Sequence, residues 1–371
     1  MLYIWLILIV LGFCKKNSKV ITSLQMAFAI LLITFNDNNP DYNNNYLLFK
    51  RIISGEEDII SGNIIYKCVF RIFGIFGNYH IVVFAISMIA IILVYKTIIF
   101  YTDKCSFCFS LYLIASFVID ATQLKNFLAM AIWLYFSRYL YKAYINDNRK
   151  KNIMIYIIGV VISSLCHVSF VITLFYLVVL ILDTKVLVII SSVICVLGVT
   201  SLVFLSSIIN NISNWIIKKN IFFMKFIESK IFDYSLVTTQ GGINTRIILE
   251  VLFFLIWAFC WGIVNVVYIH RYCSKTSKLL YFVMNLNIVI IIMLPLLIIS
   301  VEIYRFQRNL LILNYAAIST CLRCNRESKL KINVFNFIIL LCSCCVALFY
   351  LYVDAILWNY ENVFMNLFRL Y

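Results

Sequence analysis

Apolar residues dominate this chain in long uninterrupted runs, without the two-residue alternation of a half-buried strand. Most runs approach the roughly 17 to 25 residues with which a helix crosses about 30 Å of hydrocarbon. Twelve can be marked, near residues 1–14, 20–35, 80–101, 105–120, 124–141, 152–166, 168–182, 185–206, 246–269, 279–300, 303–321 and 332–353. Strand patterns joined by short turns are missing, which argues against an outer-membrane barrel. The pattern predicts an all-α, polytopic integral membrane protein of about 12 transmembrane helices, forming a single domain over residues 1–371. Residues 63–77 are also apolar but carry Lys67 and Arg71, so an amphipathic or re-entrant half-helix is expected there instead of a span.

Composition strengthens this picture. Of 371 residues, 64% are hydrophobic and 13% charged, against about 25% charged in soluble domains. The net charge of +15 would suit a nucleic-acid binder, but basic residues retained on the cytoplasmic side explain it better. With the N-terminus placed outside, cytoplasmic connections hold 16 bases and 4 acids, while the outer side holds 13 bases and 12 acids. No nucleic-acid partner is needed. The stretch "MLYIWLILIVLGFCKK" has its bases after its apolar run, as a retained helix entering from outside would, and unlike a cleaved signal. The 13 cysteines include the pairs Cys105–Cys108 and Cys321–Cys324. Neither pair has a nearby His or a compact loop, so buried thiols are expected and no metal.

The same topology places two long loops, 36–79 and 207–245, outside the membrane, while the cytoplasmic connections are short. The first opens with a polar island, "NDNNPDYNNNYLLFKRI"; the second contains "NWIIKKNIFFMKFIESK", which suits a helix lying on a surface. Function is therefore expected outside or in the outer half of the bundle. With 10 Gly, 2 Pro and no internal repeat, the chain lacks the paired helix interruptions of many transporters.

Charged groups within lipid must face protein or a wet cavity. Arg305 and Arg308 stand three apart, on one face of a helix, and with Lys125 and Arg246 form the cations suited to a diphosphate. A single Arg at a span end also snorkels to headgroups. Asp41 follows the second span beside Tyr42 and Tyr46, where a carboxylate could serve as general base and the rings could hold a sugar. An Asx-type turn around Pro40 would equally account for that Asp. His167, in "SSLCHVSF", suits a base, a ligand contact or a hydrogen-bonded turn residue.

The order of these elements is "NPDYNNNY", then "QLKNFLAMAIWLYFSRYLY", then a lone His in "SSLCHVSF", then "YRFQRNLLILNY". Over residues 20 to 320 it resembles the EpsG-like family of bacterial polysaccharide polymerases, the Wzy-type O-antigen and capsule repeat-unit polymerases. The resemblance implies a multi-pass protein of the bacterial plasma (inner) membrane. It implies a reaction at the outer face, in which a growing glycan moves from undecaprenyl diphosphate to the next lipid-linked oligosaccharide. By position, Asp41 and Tyr46 match the early element; Gln123, Lys125, Asn126 and Ala129 the central one; His167 the lone His; Arg305 and Arg308 the late basic one. Lys125 stands where Arg is usual, which keeps the charge but gives up bidentate phosphate binding.

These expectations name Asp41 and His167 as catalytic, and Tyr46, Gln123, Lys125, Arg246, Arg305 and Arg308 as substrate- or diphosphate-binding. No cofactor is expected, since the chain has no P-loop and no GxGxxG. The expected partners are the lipid-linked oligosaccharide, membrane lipid, a chain-length regulator and a flippase. Two other functions compete: a transporter or flippase of lipid-linked oligosaccharide, and a membrane acyltransferase that decorates sugars. Charges gathered near the outer ends of the spans favour the polymerase over the transporter. The outer position of His167 argues against the acyltransferase, which typically places a His or an Arg pair at the cytoplasmic entry.

Overall fold

The structure is a computed structural model. It describes residues 1–194 except 38, 40, 57–61 and 115, together with 277–293, 303–321 and 366–368. Among these residues every regular element is helical: α1 (Leu2–Cys14), α2 (Lys19–Thr34), α3 (Tyr42–Ser54), α4 (Ile64–Gly74), α5 (Tyr79–Tyr101), α6 (Cys105–Ile114), α7 (Ser116–Asp120), α8 (Leu124–Tyr144), α9 (Arg149–Cys166), a 3-10 segment (Val168–Leu180), α10 (Thr184–Ile194), α11 (Ser277–Ile292), α12 (Ile303–Cys321) and the short α13 (Asn366–Phe368). The chain divides into two compact units. Met1–Leu174, Tyr268–Leu280 and Leu311–Tyr371 form the first; Phe175–Val267 and Tyr281–Leu310 form the second.

The first unit is built around α5 and α8. α8 packs on α5 and α9, α2 on α5 and α6, and α1 on α6 and α2, while α4 touches α3, α5 and α9. Local signals set the boundaries. The Ser18 hydroxyl accepts the Ile21 N–H at 3.2 Å and starts α2; the Asn78 side chain accepts the His80 N–H at 2.8 Å and starts α5. Both are N-caps that satisfy amides left open at a helix start. At 23 residues, α5 is about 35 Å long at ~1.5 Å per residue. Val82, Ile86, Ala90, Val94 and Ile98 are buried against protein, and Ile81, Phe84, Met88, Ile92 and Ile99 point outward. A helix that is apolar on its exposed side as well as its buried side suits lipid. α9 repeats the pattern through Met154, Ile157, Ile158, Val161 and Leu165.

Among the described residues, α5 is the one helix both long and apolar enough to cross a membrane. α8, at 21 residues, and α9, at 18, have the length, but Tyr, Ser and basic residues dilute them. The expected run at 105–120 is helical on both sides of residue 115, as α6 and α7, and every residue of both is buried. The run at 168–182 is 3-10 over 13 residues. At ~2.0 Å per residue that covers about 26 Å, more than the same residues would as α-helix. The half-helix expected at 63–77 is α4, with Tyr66, Lys67, Phe70 and Gly74 on its buried side. The runs at 246–269 and 332–353 and the loop 207–245 lie outside the described residues.

Side-chain polar groups fasten α1, α2 and α6 inside this apolar setting. Gln25 donates to the Leu8 carbonyl at 3.0 Å and to Ser110 Oγ at 2.8 Å, and Ser110 donates to the Ile9 carbonyl at 3.0 Å. Gly12 permits this, since a Cβ there would overlap Ser110 Oγ and Gln25 Nε2. Small residues and interhelical hydrogen bonds are the usual glue where lipid removes the hydrophobic drive for association. Cys105 and Cys108 are buried free thiols in α6.

Candidate functional site

The polar island folds onto the turn between α7 and α8. Asn39 joins them: its Nδ2 donates to the Thr122 carbonyl at 3.0 Å and to the Ala121 carbonyl at 3.4 Å. Its Oδ1 accepts the Asp41 N–H at 2.8 Å. Asn39 thus makes an Asx turn that holds the Asp41 backbone. Asp41 is the residue that precedes α3, and it makes no side-chain cap bond to that helix. A carboxylate there sits in the favourable field of the helix N-terminus.

α3 and α4 surround this carboxylate with rings. Tyr42 and Tyr46 stack at 5.9 Å, Tyr46 and Phe49 at 6.3 Å, and Tyr79 of α5 sets its edge against Tyr42 at 5.3 Å and Tyr46 at 5.6 Å. The Lys50 ammonium lies 4.6 Å from the centre of the Tyr46 ring. Tyr66 is fully buried and donates to Asn45 Oδ1 at 3.0 Å. Burial holds the Tyr66 phenol well above the usual tyrosine range, and Tyr79, Asp41 and Cys166 push in the same direction. Tyr66 is therefore a neutral donor that feels both Asp41 and Cys166, the residue before His167. Burial also raises Tyr42, with Asp37 and Tyr46 adding to the shift.

His167 ends α9 in extended backbone, and its Nδ1 lies 2.6 Å from Ser169 Oγ. α9 is fixed to α8 by Ser163, which donates to the Ala129 carbonyl at 2.6 Å. Gln123 precedes α8 and is almost wholly buried; Lys125, in the first turn, is half-buried; Asn126 is buried. The early, central and His elements, far apart in sequence, thus meet at one end of α5, α8 and α9. Tyr46 belongs to the ring cluster beside Asp41.

Three candidates remain. Arg246 lies outside the described residues. Arg305 and Arg308 are both on α12, and Arg308, in the second unit, is wholly enclosed by protein. Sequence reasoning missed Asn36, Asn39 and Tyr66. The density of asparagine in the island was the available signal for the first two. Tyr66 carried none, being one aromatic residue in an apolar helix.

Helices with apolar outer faces, fastened by buried hydrogen bonds and bearing a polar, tyrosine-rich end, define a helical membrane protein. The chain belongs to the EpsG family, whose model matches residues 3–362. Membership points to a membrane protein related to polysaccharide biosynthesis. No curated protein and no solved structure matches the chain.

Proposed function

We propose that this protein polymerises undecaprenyl-diphosphate-linked oligosaccharide repeat units at the outer face of the bacterial plasma membrane, as a Wzy-type polymerase does. The observation that carries the reading is the Asn39 amide clasping the 121–122 turn. It sets the Asp41 carboxylate beside stacked tyrosines and next to the start of α8. Family membership and the outward apolar faces of α5 and α9 support a multi-pass protein with about 12 spans and its N-terminus outside.

In the proposed reaction an acceptor sugar hydroxyl attacks the anomeric carbon of the donor glycan. The carbon–oxygen bond to the prenyl diphosphate breaks, and that oxygen keeps the electron pair. The acceptor's proton passes to Asp41 as general base. His167, oriented by Ser169, contacts the reacting sugars. Tyr46 offers a ring face, and Gln123 a side-chain amide at the start of α8. Lys125, Arg246, Arg305 and Arg308 supply the charge that stabilises the leaving diphosphate.

Deletion of the gene, followed by a gel of the surface glycan, tests the proposal. Single repeat units on the acceptor lipid are expected, with the ladder of longer chains restored by the wild-type gene. Long chains that persist would refute it. A surface without any repeat unit would indicate an exporter instead.

A further inference from the structure

The island and the α7–α8 turn hold buried amide groups that the protein leaves unused. Asn36 is 6% exposed, and neither its Nδ2 nor its Oδ1 has a hydrogen-bond partner. Asn126, in the first turn of α8, is 4% exposed, and its Nδ2 is likewise unpartnered. Buried polar atoms are nearly always satisfied, so each orphan needs a reason. Both residues flank the Asn39 clasp. Asn36 is three residues before Asn39, within about 11 Å along the backbone. Asn126 is about one helical turn beyond the carbonyls that Asn39 binds.

We infer that Asn36 and Asn126 form a binding subsite for an uncharged sugar residue, on the acceptor side of the Asp41 carboxylate. This inference rests on the polymerase reading for its place in the reaction; the choice of ligand rests on the amides. A carboxamide presents a donor and an acceptor side by side, which matches the hydroxyls of a sugar ring, each able to donate and accept. A prenyl tail would leave the amides as orphaned as before. The amides carry no charge and so offer a diphosphate no charge compensation, which in the proposed reaction falls to Lys125 and the arginines. The stacked rings of Tyr42 and Tyr46 stand on the same segment, ready to take the apolar face of the same or the neighbouring sugar.

The test uses the purified full chain in nanodiscs. Binding of methyl glucoside, galactoside, mannoside, rhamnoside and N-acetylglucosaminide is read by saturation-transfer NMR, with inorganic diphosphate as the anionic control. The wild type is expected to bind at least one glycoside. Asn36→Leu and Asn126→Leu are each expected to weaken that glycoside tenfold or more while leaving diphosphate unaffected. Asn36→Leu should melt at or above the wild-type temperature without ligand, because an isosteric apolar side chain removes a group whose donor and acceptor are both unsatisfied. If a Leu variant does not fold, Asn36→Asp or Asn126→Asp keeps the shape, removes the Nδ2 donor and should show the same tenfold loss. Absence of glycoside binding in the wild type, or unchanged binding in the folded variants, overturns the subsite and indicates that the amides hold only water. Asn-dependent glycoside binding in a protein whose deletion leaves long chains intact would instead overturn the polymerase reading and leave the subsite standing.

Discussion

The two ends of α5 are both ringed by aromatic side chains, yet they differ in chemistry. At the Tyr101 end, the Arg138 guanidinium lies 3.6 Å from the centre of the Tyr135 ring and 5.6 Å from those of Phe100 and Tyr139, and its Nε donates to the Tyr135 carbonyl at 2.8 Å. Lys142 lies 5.8 Å from Phe100 and 5.5 Å from Tyr139. Cations resting on rings at a helix end form the usual anchor at a membrane surface. At the Tyr79 end Lys50 lies 4.6 Å from the Tyr46 ring, but the rings mostly meet one another, and the polar groups among them include carboxylates, amides, phenols and the imidazole of His80, whose Nδ1 is 3.0 Å from the Thr34 carbonyl and 3.8 Å from Asp37. Aromatic content alone therefore does not locate a site here. The company the rings keep differs: at one end they hold basic side chains, and at the other they also stand with acids and unused amides.

Substitutions at the two ends should separate this contrast, beginning with the largest effect. Asp41→Ala is expected to remove long chains, a loss of about 100-fold or more in polymer formed if the carboxylate is the base, with normal protein in the membrane on an immunoblot. Asn39→Ala breaks both the clasp on the 121–122 turn and the Asx turn. The expected cost is about 1–3 kcal/mol, read as a lower melting temperature together with shortened chains. Tyr66→Phe leaves Asn45 Oδ1 without its donor; a destabilisation of about 1 kcal/mol and a several-fold drop in chain yield are expected, and Asn45→Ala should add little to it in a double-mutant cycle. Arg138→Ala, at the other end, should cost at most about 1 kcal/mol of stability and leave the glycan ladder unchanged. A loss of long chains from Arg138→Ala equal to that from Asp41→Ala would erase the distinction between the ends.

Much of the helical layout was readable in the sequence, for a physical reason: a run such as 80–101 needs nothing beyond its own apolar residues to become α5. The helix expected within 63–77 is there as α4, but of its two bases only Arg71 is exposed, and Lys67 lies on the buried side. What hydropathy cannot encode is backbone detail inside a run, so the 3-10 geometry after His167 was hidden. α3 was hidden for the opposite reason. Its start, "YNNNY", is poor in helix formers, and the helix is held by rings packing across its buried face at Phe49 and Ile52. For the site, Asp41, Gln123, Lys125 and His167 were identifiable as polar residues in costly positions. Their meeting was not, because it depends on one amide reaching 83 residues along the chain to Thr122. Of the cation set, Lys125 stands in the first turn of α8, Arg305 and Arg308 are on α12, and Arg246 lies outside the described residues.

The central claim is that the Tyr79 end of α5 is the working, non-cytoplasmic end. Single cysteines at two exposed positions, Asn43→Cys in α3 and Asn148→Cys between α8 and α9, report on it directly. Intact cells are treated with a membrane-impermeant maleimide, and labelling is compared with the parent chain. The account predicts strong labelling at Asn43→Cys and labelling at Asn148→Cys only after the membrane is permeabilised; the reverse pattern would contradict it.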